Sequence, residues 1–250
     1  MQPYRTLFLL LILGLSSIAA YVIETTVSER PLAIVRRFKP EVKVKHSGDK
    51  DWSDAKRGYQ LFDSDTLQTG SGGYAAVQFM DNSLIKVKPN SLLILNGEVK
   101  DKNSTASRIA LEVGEIFLNV KERRSDFEVA TSQSVAVVQG TEFGASSDKS
   151  GSNRYWVASG TVEVTALRSG ESVSLSDGMF GEVSSDGSSI TSGYLSEEEL
   201  NNLVKEYEKL DQNTQPEQLR LRFRNEEGES REVDVKYYQN DGSGNEQDGQ

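Results

Sequence analysis

Among the side chains that could act as general bases or metal ligands near neutral pH, only carboxylates are abundant in this chain. Its 250 residues include 38 aspartates and glutamates, one histidine and no cysteine. Thiolate nucleophiles, cysteine zinc sites and disulfides are therefore excluded, as are metal sites built from several imidazoles. A Ser-His-Asp triad would have to use His46, which lies in the basic segment Lys43-Val44-Lys45-His46. We interpret His46 as a solvated residue at a strand end.

Two acidic turns, Asp49-Lys50-Asp51 and Asp63-Ser64-Asp65, carry the oxygen ligands that calcium prefers. Neither has the ligand spacing of a dedicated calcium loop. Asp65 is therefore expected to bond nearby backbone amides in its own turn. We predict no catalytic residue, cofactor or metal. The alternative is a carbohydrate-active envelope hydrolase with two close carboxylates, which sequence order alone does not reveal.

The net charge of the chain limits the class of partner that it can bind. The formal net charge is −10, with acidic residues spread along the sequence. Proteins that bind nucleic acid need a basic surface that displaces the counterions of the phosphates. Nucleic acid is therefore excluded as a partner, and the negative charge favours solubility.

The first 23 residues contain an apolar run, residues 7–23, which Arg5 precedes. A signal peptide would use Ser17 and Ala19 as the small residues before a cleavage site. A membrane anchor would use the whole run, whose length is at the lower limit for spanning a bilayer. Either interpretation predicts export to the periplasm or cell envelope, and we favour an uncleaved inner-membrane anchor. Residues 24–40 begin with polar residues and have Pro31 and Pro40 bracketing their end, which predicts a linker.

Short apolar and alternating segments fill residues 41–190, roughly 8–12 residues apart and separated by turn residues. This spacing predicts an all-β sandwich, roll or solenoid-like module. Asn96-Gly97 predicts a chain reversal. A weak internal repeat places a glycine before an apolar strand at Gly114 and again at Gly160, which suggests a bend where backbones approach closely.

After this β region the period of the apolar residues changes. Ser196 and Glu199 form a capping box, and Leu200, Leu203 and Tyr207 fall on one face of the predicted helix. An alternating, charged β-hairpin follows, so residues 195–240 form a helix-plus-hairpin appendage. Such a hairpin is not stable alone and must pack on the domain or on a partner. Residues 241–250 have no apolar side chain and are expected to be disordered.

Four short phrases in the β region occur in a characteristic order. They are Ser64-Asp65-x-x-x-Thr69-Gly70, Asp81-Asn82-Ser83, Pro89-Asn90-Ser91 and Gln139-Gly140-Thr141-x-Phe143. Together they resemble the FecR domain, a β-rich module of the bacterial cell envelope, over roughly residues 40–165. Two positions depart from the family pattern: Ser64 stands in place of glycine and Gln139 in place of arginine.

The resemblance implies a FecR-like β-sandwich or roll with a non-enzymatic, protein-binding, sensing or scaffold role. The partner would be an envelope protein or a cell-wall polymer, with the inner membrane contacted through residues 7–23. In the best-known members, a cytoplasmic region controls a sigma factor. Only residues 1–6 precede the apolar run here, which disfavours that alternative.

The residues of the four phrases are turn-formers or core side chains, so we expect them to be structural. They are Asp65, Thr69, Gly70, Asp81, Ser83, Pro89, Ser91, Gly140, Thr141 and Phe143. The predicted contact surface is instead the charged hairpin, on which Arg220, Arg222 and Arg224 share one strand face. That face could bind an acidic partner, or it could be solvated and balanced by nearby glutamates.

Overall fold

Two packed β-sheets that share one long strand form the body of the protein, as seen in a computed structural model. The structure describes residues 30–101, 104–121, 126–138, 140–212, 217–224 and 230–237. The predictions for residues 1–23 and 241–250 lie outside these ranges. No helix within the described ranges is long and apolar enough to cross a membrane.

The elements follow one another along the chain in a nearly unbroken series of strands. They are β1 (Ala33–Lys39), β2 (Val42–Lys45), β3 (Ser53–Asp54), β4 (Gln60–Leu61), β5 (Asp65–Thr69), β6 (Tyr74–Phe79), β7 (Leu84–Val87), β8 (Leu92–Asp101), β9 (Ser104–Asn119), β10 (Asp126–Ala130), β11 (Ser134–Val138), β12 (Glu142–Ser147), β13 (Asn153–Ser159), β14 (Thr161–Ala166), β15 (Ser172–Ser176), β16 (Met179–Val183), β17 (Ile190–Tyr194), α1 (Glu197–Gln212), β18 (Glu217–Arg224) and β19 (Ser230–Tyr237). The predicted all-β fold class is confirmed, with one helix and a separate hairpin at the carboxy-terminal end.

Strand β9 belongs to both sheets and joins them. The front sheet has the order β4-β1-β6-β7-β9-β12-β13-β16-β17. The back sheet has the order β3-β2-β5-β8-β9-β10-β11-β14-β15. All of these pairs are antiparallel except β9 with β10. The first part of β9 therefore pairs in the back sheet, and its last part pairs in the front sheet.

The two glycines of the sequence repeat lie where the chain passes between the sheets. Gly114 has a φ of 107° and stands at the bend of β9, and Gly160 has a φ of 96° between β13 and β14. A side chain rarely adopts such positive φ values, so glycine is favoured at each crossing. The repeat therefore marks two sheet crossings, which run in opposite directions.

The core lies between the sheets and is built from the alternate, inward-facing residues of each strand. Phe79 of the front sheet meets Phe127 of the back sheet edge to face, with ring centroids 5.4 Å apart. Phe143 and Tyr155 are fully buried beside them. Leucine, isoleucine, valine and alanine from both sheets fill the remaining space.

Two local predictions differ from the structure. The expected linker contains β1, where Ala33 and Val35 are fully buried, so the sheets span residues 33–194 and exceed the predicted domain of 41–190. Asn96-Gly97 does not reverse the chain, because β8 continues through it and pairs Asn96 with Arg108 of β9. In each case, pairing with another strand overrides the local signal.

Candidate interaction surface

Three of the four sequence phrases lie at corners where the chain leaves one sheet for the other, and Asp81-Asn82-Ser83 forms the turn between β6 and β7 within the front sheet. At the first corner the Thr69 hydroxyl donates to the Lys88 carbonyl at 2.6 Å and accepts from the Ser91 amide at 2.9 Å. The Gly70 amide donates to the Glu41 carbonyl at 2.7 Å. Pro89 lies between these bonded positions, in the turn that carries β7 of the front sheet into β8 of the back sheet. Three separate stretches of chain are therefore tied together here.

The other phrases fix two further turns. The Asp81 carboxylate accepts from the Ser83 amide at 2.8 Å, and the Ser83 hydroxyl accepts from the Lys121 amide at 3.1 Å. Gly140, with a φ of 61°, leads into the buried Thr141, whose hydroxyl donates to the Thr161 carbonyl at 3.0 Å. The structure thus places these polar side chains in backbone-binding positions rather than around a common cavity.

Asp65 is the most heavily bonded carboxylate of the phrases. It is almost fully buried and accepts from the amides of Phe62 at 2.8 Å and Ser47 at 3.0 Å. His46 Nδ1 lies 2.7 Å from the same carboxylate, and its ring stacks on Tyr59 with centroids 5.3 Å apart. His46 stands at the end of β2 as expected, but its ring is a packed partner of Asp65 and is 33% exposed, so it is only partly solvated.

Helix α1 covers the outer face of the front sheet. Its start has the predicted capping box, in which the Glu199 amide donates to the Ser196 hydroxyl at 3.2 Å and the Ser196 amide donates to Glu199 at 2.9 Å. Tyr207 is 1% exposed and packs on Phe117 and Trp156, with ring centroids 5.1 and 6.3 Å away. The predicted apolar face of the helix is therefore docked on the sheet.

A glycine in the sheet makes room for this docking. The strand register aligns Phe117 of β9, Gly144 of β12 and Trp156 of β13 in one row. The rings of Phe117 and Trp156 stack with centroids 5.3 Å apart, and a Cβ at Gly144 would collide with the indole of Trp156. The sheet therefore presents a flat aromatic platform on which α1 lies.

Polar contacts hold the second half of α1. The Tyr207 hydroxyl donates to Glu115 at 2.9 Å, and Lys88 lies 2.9 Å from both Glu115 and Glu206. Burial, reinforced by the Glu115 carboxylate, raises the pKa of Tyr207 well above its ordinary value. Tyr207 is therefore neutral and keeps its proton for this hydrogen bond.

The last turn of α1 reaches the amino-terminal strands. Asp211 accepts from the Tyr74 hydroxyl at 2.8 Å and lies 3.0 Å from Lys86 Nζ. Burial, followed by the Asp211 charge, raises the pKa of Tyr74. The helix begins after β17 at one edge of the front sheet and ends over β6 and β7, so it crosses most of the strands.

The predicted hairpin is present as β18 and β19, for which the structure gives the backbone and register. Arg220 is paired with Asp234, and Arg222 with Glu232. The assignment of Arg220, Arg222 and Arg224 to partner binding stays a prediction.

The family comparison covers all four phrases except Ser64, the first residue of the first phrase. Residues 65–163 match the family model described as FecR protein. This segment of the chain is FecR-like. The match begins at β5 and ends within β14, while β1–β4 and β15–β17 complete the same two sheets outside it. The predicted family resemblance is confirmed.

The chain is also similar in part to a protein of known structure. Two crystal structures of a Parabacteroides distasonis protein, provisionally described as an anti-sigma factor, share 18% identity with the chain at TM-scores of 0.48 and 0.47. The similar part covers 56% of this chain and 64% or 63% of theirs, so the chain spans less than two thirds of those proteins. No curated protein matches the chain.

Proposed function

We propose that this protein is a non-enzymatic, FecR-type regulatory module that binds another protein at the bacterial cell envelope. The FecR match over residues 65–163 carries the proposal. The hydrogen bonds of the phrase residues support the proposal. The side chains of Asp65, Thr69, Ser83 and Thr141 bind backbone groups, which indicates a structural role. We therefore expect a partner to bind at the surface, where an exposed strand edge can pair with an added strand.

Export is part of this proposal and rests on the apolar run of residues 7–23. Residues 1–40 fused to a reporter that is active only outside the cytoplasm should give an active reporter. Replacement of Leu11 and Ile12 by aspartate should abolish that activity, because charges inside the apolar run oppose membrane insertion. An inactive, cytosolic fusion of the unchanged segment would contradict export.

The binding function is tested by recovery of partners from envelope extracts. The chain lacking residues 216–240 should recover less of the partner proteins than the full-length chain, because the hairpin is the predicted contact. A chain lacking only residues 241–250 is the matched control and should recover as much as the full length. Equal recovery by all three would remove the hairpin from the proposal. Glycan or peptide hydrolysis abolished by one carboxylate substitution would refute the non-enzymatic role.

A further inference from the structure

The edge strands at the two ends of the sandwich differ in length. At one end the edge strands β3 and β4 have 2 residues each, whereas at the other end β15 and β17 have 5 residues each. Exposed edges are normally guarded by charge, proline or a bulge. Strand β17 has the sequence Ile-Thr-Ser-Gly-Tyr and carries no charged residue and no proline. Its edge is therefore open to another strand except at Ile190, whose amide binds the Glu171 carboxylate.

The backbone alternation shows which groups of β17 face outward. The Leu195 amide donates to the Gly178 carbonyl, and the Ser184 amide donates to the Ser189 carbonyl. Hydrogen-bonded pairs alternate with non-bonded pairs along an antiparallel ladder. Between these two bonds, the hydrogen-bonded pairs of β16 and β17 are therefore Glu182 with Thr191 and Phe180 with Gly193. Ser192 and Tyr194 consequently direct their N–H and C=O groups away from β16. The Ile190 amide points the same way and donates to the Glu171 carboxylate at 3.3 Å.

The surroundings of this edge are net acidic and partly apolar, although Arg154 and Arg168 lie 3.6 Å and 3.0 Å from Glu182 and Asp186. Residues 169–204 contain no lysine or arginine. The acidic residues in this stretch are Glu171, Asp177, Glu182, Asp186, Glu197, Glu198 and Glu199. Tyr194 is 76% exposed at the end of the strand. A strand that alternates apolar and basic residues would complement both properties.

The chain itself contains such a strand. In β18, Leu219, Leu221 and Phe223 alternate with the arginines at positions 220, 222 and 224. An isolated two-stranded hairpin such as β18–β19 is marginally stable in water and gains from a third strand.

The hairpin cannot reach β17 of its own chain. Asp211 lies against Lys86 of β7, and a strand added beyond β17 would be six strand positions further along the front sheet. That separation is roughly 29 Å at the usual strand spacing. The six residues from Asp211 to Glu217 span at most about 20–22 Å. The hairpin can therefore reach a β17 edge only on another molecule.

We propose that a second copy of this chain is the occupant, and that two copies exchange hairpins so that each β18 adds to the β17 edge of the other. Reciprocal exchange gives a closed two-fold dimer. This inference deepens the proposed protein-binding function by naming a partner for the hairpin.

The test is the mass of the full-length chain in mild detergent, measured by sedimentation over a range of concentrations. The unchanged chain should form a dimer. Ser192→Pro removes the outward N–H but leaves the ladder with β16 intact, so the dimer Kd should rise at least about tenfold. Ser192→Ala keeps the N–H and should leave the Kd unchanged. A monomeric parent, or equal dimerisation of the proline variant, would overturn the proposal.

A charge variant tests the same contact from its other side, because it changes the hairpin and leaves the β17 edge unchanged. Replacement of Arg220, Arg222 and Arg224 by glutamate should also abolish dimerisation. A mixture of this variant with Ser192→Pro should still form mixed pairs through one intact contact, and no mixed pairs would refute the exchange. If the parent is monomeric yet loss of residues 216–240 still prevents recovery of envelope proteins, self-association fails and the proposed function stands.

Discussion

Replacement of Gly114 by alanine is expected to lower the free energy of unfolding by about 2–5 kcal/mol, measured by denaturant titration. A positive φ costs an alanine roughly 1–2 kcal/mol, and forcing extra volume into a packed site costs roughly 1–3 kcal/mol. Gly114 has a φ of 107°, and an added Cβ would lie 2.5 Å from Ser91 Cα. Because that neighbour is backbone at a sheet crossing, it cannot move aside like a flexible side chain.

Gly170 provides the matched control for Gly114. It also has a positive φ, 72°, but an added Cβ meets nothing within 4 Å. Gly170→Ala should therefore show only the cost of the backbone conformation, roughly 1–2 kcal/mol. Equal effects at both positions would mean that the approach to Ser91 does not constrain the bend of β9.

Replacement of Phe143 by alanine is expected to lower the melting temperature by about 6–20 °C. A buried phenylalanine reduced to alanine costs about 3–5 kcal/mol, and each kcal/mol shifts the melting point of a protein of this size by about 2–4 °C. Phe143 is fully buried in the core between the sheets. The ring has no solvent-facing edge, so its removal leaves a cavity.

Leu167, which is 54% exposed, serves as the surface control for Phe143. Leu167→Ala should change the stability by no more than about 0.5 kcal/mol. A Phe143→Ala variant as stable as the parent would contradict the core position of the ring.

Features set by neighbouring residues were predictable from the sequence. The start of α1 depends on Ser196 and Glu199, which are three residues apart, and the capping box forms as expected. The apolar face of the helix follows from a period of 3.6 residues, and its docking follows from the cost of leaving that face in water. The all-β class likewise follows from short alternating segments.

Features set by strand register were not predictable in the same way. His46 meets Asp65 because β2 pairs with β5 and places Lys45 beside Thr66, a contact between residues 19 positions apart. The aromatic platform depends on Gly144 lying between Phe117 and Trp156, and these three residues belong to three different strands. Strand β1 was missed because the flanking prolines indicate a linker, whereas pairing with β6 decides the outcome.

The shared strand β9 has a consequence for the growing chain during synthesis. It pairs with β7 and β8, which precede it, and with β10 and β12, which follow it. Until β9 emerges, β7 and β8 lack their common neighbour, and Phe117 and Trp156 remain uncovered until α1 is complete. Translation proceeds at about 5–20 residues per second, and unpaired edges and exposed rings aggregate readily. The nascent protein therefore passes through a vulnerable interval, which ends only when its helix is made.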